Sequence, residues 1–534
     1  MLINRIKMKF LAKLLSIFLC LVIVSGCEKA LNKSPEDFLP VEKYFTKESD
    51  AVLALNGVME MMTKRDYYAG QFPTRMLSGD DLFTVLTGSF PGNHSADASD
   101  PLIRNLWNNL FSTIQRANIL LANLPKVSMP ETKKGVIRGE ALFLRAYAMF
   151  MLADMWGPIP INLVPTSGPN DVVRTRQPIK DVYAQILLDM TEAEKLVPAS
   201  TSAAEYGGGG YPAKTTVQGI LARVCLTMAG EPLKEVSKYA EARDWAAKAV
   251  ASGEHRLNPD YTDIFIRLAS DRYDKMEVMW EIDLNYTAGL DDHGLIGSLN
   301  GIPGADVSFG YSFGQVHVTR KLVNAYGITS NDMRRDWNAA PFQYVSGTTT
   351  GAKSNFTATQ LYERFDSKYR SQYYPVKHRD NTGINFPLLR YSDVLLMLAE
   401  AENEIDGPTP RAYAMVNQVR ARAYGKLLPG ATNLTEADIA PGMDQTTFRQ
   451  VIMDERLREF PSEAIRKHDL IRWGIFVSAI KGVATDANNP ALPLSSWRTQ
   501  LTNIANRVGN EDVLWPVPNS EISLNSGMTQ NEGW

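Results

Sequence analysis

Apolar positions along this chain recur mostly at the three-and-four spacing of helices, and the helical stretches fall into pairs. The densest block is residues 139–160, GEALFLRAYAMFMLADMWGPIP. Nearly every position from Ala141 to Trp156 is apolar. That pattern predicts a helix of about four to five turns, covered on most sides. Ala141 and Ala148 are seven apart, as are Ala146 and Ala153. The spacing gives small-residue stripes against which neighbouring helices can approach closely. Gly157 suits a left-handed C-cap, and Pro158 and Pro160 prevent continuation. Arg145 and Asp154 interrupt the run, and it is shorter than the roughly 20 residues of a membrane span. The block therefore predicts a buried scaffold helix.

Further amphipathic patterns predict helices over 51–62, 102–124, 179–196, 214–228, 239–251, 392–404 and 410–422. Ala242, Ala246 and Ala249 share one face of the 239–251 helix, and Ala399, Ala401, Ala412 and Val416 repeat the design later. Helix pairs of about 34 residues with alanines at close contacts read as tetratricopeptide-like repeats. Four pairs are expected: 51–124, 140–196, 214–251 and 392–422. The expected fold is therefore mainly α, a tetratricopeptide-like helix-pair scaffold carrying an irregular, loop-rich ligand-binding part with short strands.

Two stretches break the helical period. Residues 67–100 are rich in Gly, Asp and Ser and carry Tyr67, Tyr68, Phe72, Phe83 and Phe90. This stretch is too long for a plain connector. Residues 258–389 are glycine-rich with a strand-like piece at 278–284, and they carry Tyr286, Tyr311, Phe313, Trp337 and Tyr344. A helical block over 447–474 and a mostly irregular C-terminal segment close the chain. The expected divisions are 1–26, 27–48, 49–257 and 258–534, the last split into the insertion 258–389 and a closing block 390–534.

The N-terminus changes the picture of where the body works. Arg5, Lys7, Lys9 and Lys13 precede an apolar run over 14–24, then Val24-Ser25-Gly26-Cys27. This has the form of a secretory signal. A cysteine at the first mature position resembles the bacterial lipobox, which implies lipid on Cys27 and a tether over 27–48. The body would then be anchored by acyl chains without spanning the membrane. Cys225 is the only cysteine after Cys27, so no intramolecular disulfide forms within the mature body. Its apolar helical setting reads as a core thiol.

Charge and candidate chemistry exclude more than they assign. The formal net charge of −3 gives no bulk attraction to nucleic acid. Glu455, Glu459 and Glu463 recur every four residues among Arg456, Arg458, Arg466 and Arg472. Carboxylates beside arginines have lowered pKa values, the wrong direction for a general acid near neutral pH. An ion-pair network is expected there. The six histidines show no zinc spacing, and no metal or cofactor is expected. Asp291-Asp292-His293 reads as a solvated loop. No G-x-S-x-G elbow appears, and nothing singles out the carboxyl pair of a glycosidase.

The block at 455–474, ERLREFPSEAIRKHDLIRWG, resembles the SusD/RagB family of surface nutrient-binding lipoproteins. Glu455, Arg456, Glu459, Glu463, Arg466, Asp469, Arg472 and Trp473 match its pattern. Ala464 stands where glycine is usual, and Lys467 and His468 where aromatics are usual. The 139–160 block with its WGPIP stop, Phe386 to Leu396 with Ala399-Glu400-Ala401, and the closing Leu514-Trp515-Pro516-Val517-Pro518 and Met528 to Trp534 also look like the family's segments. The resemblance implies a lipid-anchored outer-membrane protein facing the cell exterior. It would bind oligosaccharide or polysaccharide without catalysis and deliver it to a SusC-like TonB-dependent transporter. The RagB branch implies peptide or another nutrient as alternative cargo. A secreted glycosidase on a helical scaffold is a third reading.

Sugar rings present flat C–H faces edged by hydroxyls. Aromatic rings match the faces, and Asp, Asn and Arg match the hydroxyls. Preformed sites combine such platforms with a few polar groups. In the first irregular stretch Arg75, Asp80, Asp81 and Phe90 are candidates. In the second, Tyr286, Tyr311, Phe313 and Trp337 are. Trp337 stands out because Arg334, Arg335, Asp336 and Asn338 surround it in sequence. Trp107, Trp156, Trp245, Trp280 and Trp473 fall on helix or strand patterns and read as core. These choices rest on composition and location.

Overall fold

A row of helices, each packed on the next, forms the scaffold. In chain order they are α1 (Glu48–Met59), α2 (Pro101–Asn123), α3 (Glu131–Trp156), α4 (Ile179–Leu196), α5 (Lys214–Ala229) and α6 (Lys238–Ala251). The insertion carries α7 (Tyr261–Ala269), α8 (Arg320–Tyr326) and α9 (Met333–Asn338). Then come α10 (Tyr391–Asp406), α11 (Pro410–Ala423), α12 (Gln445–Glu459), α13 (Arg466–Arg472), α14 (Phe476–Ala487), α15 (Arg498–Arg507) and α16 (Asn519–Leu524). Neighbours pack from α1 through α6, and α6 then packs on α10, which packs on α11 and α12. The insertion therefore leaves and rejoins the row without separating α6 from α10. The molecule is mainly helical, as expected. This computed structural model describes residues 44–534 except 169–170, 172, 200–208, 286–293, 328, 432–436 and 494, plus residues 3, 6–8 and 10. Cys27, Tyr286 and Asp291 to His293 lie outside the described residues. Among the described residues no helix is long and apolar enough to cross a membrane.

Helix α3 begins at Glu131, eight residues before the expected start at 139, because Pro130 fits the N-cap and 131–136 form an exposed to half-buried first stretch. Ala141, Ala146, Ala148 and Ala153 are all buried. A Cβ added at Gly139 would stand 2.8 Å from Cβ of Leu196. The small residue there lets α3 and α4 close on each other. Arg145 and Asp189 bridge the same pair of helices, with Nε–Oδ2 at 2.8 Å and Nη2–Oδ1 at 3.0 Å. The stop at Gly157 differs from a left-handed cap: φ is +73° but ψ is −129°. Glycine is still required, and its N–H donates to the Ala153 carbonyl at 2.9 Å. Cys225 is a core thiol, fully covered, and burial pushes it up to about 12.

Among the described residues, three short two-stranded antiparallel pairs complete the fold. β1 (Leu82–Thr84) pairs with β3 (Val316–Val318), β2 (Val278–Ile282) with β6 (Phe386–Arg390), and β4 (Phe342–Tyr344) with β5 (Lys353–Asn355). In the first, Leu82 faces Val318 and Thr84 faces Val316. This ladder fastens the two irregular stretches to each other.

The helical block expected over 447–474 is two helices. α12 stops at Glu459 before Pro461, and Ser462 and Ala464 take φ of +65° and +58° before α13 starts. Glu463 therefore leaves the helix face of Glu459, yet both enter one ion-pair core. Glu459 meets Arg334, Arg390 and Arg422. Glu463 meets Arg390 and Lys368. Burial would raise the Glu459 carboxyl, but Arg422, Arg390 and Arg334 outweigh it and hold the group well below its ordinary range. The C-terminal segment, expected to be mostly irregular, carries α14, α15 and α16. Phe476, Ile480, Val483, Ala484 and Ala487 bury one face of α14.

Candidate functional site

The chain from Gly310 to Val316 alternates in burial and bends at Gly314, whose φ is +59°. Ser312 and Val316 are covered, while Tyr311, Phe313 and Gln315 are half-exposed on the other side. Tyr311 and Phe313 lie before that bend and Gln315 after it, and together they make a strip of half-exposed side chains. The Tyr311 and Phe313 rings meet edge to face at 5.1 Å. The exposed Arg379 lies over both, its guanidinium 5.6 and 5.5 Å from the ring centres. Gly310 has φ +138°, and a Cβ there would collide with the Gln372 backbone N at 2.5 Å. That close approach seats 371–374 beside the strip, and Ser371 Oγ donates to the Tyr311 carbonyl at 2.8 Å.

The other irregular stretch joins at Gln315. Arg75 Nη2 donates to Gln315 Oε1 at 2.6 Å and Nη1 to Gln71 Oε1 at 3.1 Å. The Arg75 guanidinium lies 5.5 Å from the Phe90 ring centre. Gln71, Arg75, Phe90, Ser99, Asp97 and Asp100 are among the residues lining a cleft of about 500 Å³. Asp100 is occupied as the N-cap of α2, accepting from the N–H groups of Leu102 and Ile103. Half-exposed rings, amide side chains and guanidinium N–H donors thus run in one connected strip, the chemistry that suits a polyhydroxylated ring.

Of the residues anticipated from sequence, Arg75, Phe90, Tyr311 and Phe313 are brought together here. Trp337 is not an open platform. It is 7% exposed, Arg370 lies 3.8 Å over its ring, and Tyr373 stacks beside it at 6.1 Å. Its indole N–H donates to the Lys368 carbonyl at 3.2 Å. Asp80 and Asp81 are also corrected, because both are buried. Asp80 binds Arg466 at 2.6 and 3.0 Å and Lys321 as well. Burial opposes ionisation of Asp80, but Arg466 and Lys321 prevail and bring it to about 2. Asp81 is pushed up to about 7 by burial and by Asp80, and it lines a small cavity of about 40 Å³. Gln315, Arg379 and Tyr373 were missed. Gln315 shares the period-two pattern of Tyr311 and Phe313, which was visible in YSFGQV. Arg379 and Tyr373 come from a loop with no such signal.

A model described as the SusD family matches residues 303–534, and one described as starch-binding associating with outer membrane matches residues 31–226. The chain belongs to the SusD/RagB family. It is 24% identical over 543 residues to SusD-like protein P2 of Formosa agariphila, covering 97% of this chain and 98% of that one. It is 24% identical over 446 residues to the starch-binding protein SusD of Bacteroides thetaiotaomicron, covering 74% and 72%. A SusD homologue from the latter organism, solved by crystallography, superposes with a TM-score of 0.84 at 25% identity, covering 94% of this chain and 100% of that one. The description of the second model ties the family to the outer membrane.

The family's motif residues are now explained. Glu455, Glu459, Glu463 and Asp469 are buried against Arg334, Arg390, Arg422, Arg456 and Arg472. They hold α12, α13 and the insertion together and stand apart from the strip. Ala464, where the SusD/RagB pattern has glycine, sits at φ +58°, a conformation that glycine adopts without strain.

Proposed function

We propose that this protein captures oligosaccharides or polysaccharides at the cell surface and passes them to a SusC-like TonB-dependent outer-membrane transporter, without cleaving them. The supporting observation is the strip from Phe90 through Arg75 and Gln315 to Phe313 and Tyr311, where rings alternate with hydrogen-bond donors. One relative is named as starch-binding and one solved neighbour as laminarin-binding. The carboxylates of the 455–469 motif are consumed by arginines, which suits a binding role. Asp81, pushed up to about 7 beside Asp80, and Glu281, raised by burial and by Asp283, are both buried. Lipid on Cys27 would keep the body at the membrane.

Affinity electrophoresis of the mature protein through gels containing single polysaccharides tests the reading. Retardation by at least one glycan, with no new reducing ends after prolonged incubation, is the expected result. Release of sugar from a retained glycan overturns the non-catalytic role. A failure to bind any glycan, with binding of peptides instead, moves the cargo to another class.

A further inference from the structure

The arginines around the 455–472 motif and the cations along the strip are partnered differently, and Arg176 at the C-terminal segment likewise has neutral partners alone. Those of the core meet carboxylates: Arg334, Arg390, Arg422, Arg456, Arg466 and Arg472 each have at least one acidic partner. The cations along the strip do not. Arg75 is bonded to two neutral amides, Gln71 and Gln315. Arg370 donates only to the backbone carbonyls of Ser367, Asp336 and Trp337. Lys377 donates only to the carbonyls of Ser371, Gln372 and Tyr374. Arg379 lies over the Tyr311 and Phe313 rings. Among the described residues none of these four makes an ion pair. Yet the chain as a whole is slightly acidic, with a formal net charge of −3.

Neutral partnering has a physical cost. Arg75, Arg370 and Lys377 are half-buried, and burial holds each below its ordinary value. A partly buried cation with neutral partners alone keeps a desolvation penalty that an anion would remove. The carboxylates nearby do not supply it. Asp100 caps α2, Asp97 binds Ser99, and Asp336 pairs with Arg335. Arg379 is arranged to complete the pair from outside. Its guanidinium lies over two rings, so its edge N–H groups stay open to solvent beside the surface that would take a sugar face. A guanidinium so placed binds a carboxylate or a sulfate through two parallel hydrogen bonds.

Building on the glycan-binding reading, we propose that the strip selects anionic glycans, those carrying carboxylate or sulfate ester groups, and that Arg379 and Arg75 read the charge. Neutral glycans would find the same rings but leave the cations unpaired.

The test pairs each acidic polysaccharide with its neutral counterpart. Polygalacturonate is set against its carboxyl-reduced product, and a sulfated galactan against its desulfated product, with starch and laminarin as neutral references. These are run with the wild type and with Arg379→Gln, an exposed position that should fold normally. An acidic member is expected to bind at least about tenfold more tightly than its neutral counterpart, a difference of about 1.4 kcal/mol. Arg379→Gln should lose most of that preference, and so should the wild type when salt is raised to about 0.5 M. The carboxylate and sulfate arms tell which anion is read. Equal or better binding of the neutral member, or an unchanged preference in Arg379→Gln, overturns the anionic reading while glycan binding stands. No binding to any of the glycans overturns both.

Discussion

Arg75 and Gln315 stand 240 residues apart in the chain, and their side chains meet at 2.6 Å. With the β1–β3 ladder, this contact makes one surface from two loop stretches that have no helical period. It sets the prediction for the strip. Arg75→Ala removes a donor, uncovers one face of Phe90 and frees Gln315. Glycan affinity should fall by about 1–3 kcal/mol, the range of an interfacial anchor. Phe90→Ala should fall by a similar amount, and thermal unfolding should move little in either variant because both side chains are half-exposed. Isothermal titration beside a melting curve makes the comparison. Full affinity in folded Arg75→Ala would place the ligand elsewhere.

Tyr373 and Trp337 should separate binding from stability. Tyr373 is 37% exposed and stacks on a ring that is itself covered. Tyr373→Ala is expected to weaken glycan binding with a stability change within about 0.5 kcal/mol. Trp337→Ala removes a buried ring and its hydrogen bond, so it should cost about 3–5 kcal/mol of stability. Urea denaturation reads the second effect directly. A Trp337→Ala variant of wild-type stability that binds poorly would restore the indole as a direct ligand platform.

The scaffold was readable because its helices are long and their apolar spacing is undiluted, as in α3 and α10. The strip was partly readable. Tyr311 and Phe313 alternate with small residues, and an aromatic in a loop of that kind points outward half the time at best. What sequence could not supply was the covering layer. Nothing near Trp337 in the chain shows that Arg370 will lie over it. Nothing near Asp80 shows that Arg466, 386 residues on, will claim it. Sequence proximity to charges made both look like surface positions, whereas long-range pairing made them interior. The helices α14 to α16 were hidden for a different reason: they are short, and Gly, Asn and Pro between them break the apolar period.

Ala464 tests the turn between α12 and α13. Its φ of +58° costs an L-residue about 1 kcal/mol that glycine avoids. Ala464→Gly should therefore raise stability by about 1 kcal/mol, against the usual direction of that substitution. Ala484→Gly, inside α14, should lower it by at least about 1 kcal/mol. Equilibrium denaturation of the two variants side by side checks the sign. A loss at Ala464 would mean that its methyl packing outweighs the backbone strain.

Lys467 gives a pH prediction with a definite sign. It is 4% exposed, with Nζ 5.2 Å from the Phe476 ring centre and 5.1 Å from that of Trp515. Burial lowers it, Asp512 and Asp154 restore part of the loss, and the result is about 8. Lys368, buried beside Glu463, is also lowered to about 8. An unfolded lysine titrates near about 10.4. Between about 8 and 10 the unfolded chain therefore holds more protons than the native one, and stability rises with pH. The gain from about pH 8 to 9.5 is about 1–2 kcal/mol for each lysine. Above about pH 10 the buried tyrosines, Tyr67 and Tyr261 among them, act in the opposite direction, because burial holds them protonated while the unfolded chain ionises. Lys467→Met keeps the volume and removes the charge. It should be more stable than wild type at pH 7.5 by about 1–3 kcal/mol, and its stability should climb less between pH 7.5 and 9.5. Denaturation curves at those two values decide it, since parallel profiles for wild type and variant would show that Lys467 keeps an ordinary pKa in the folded protein.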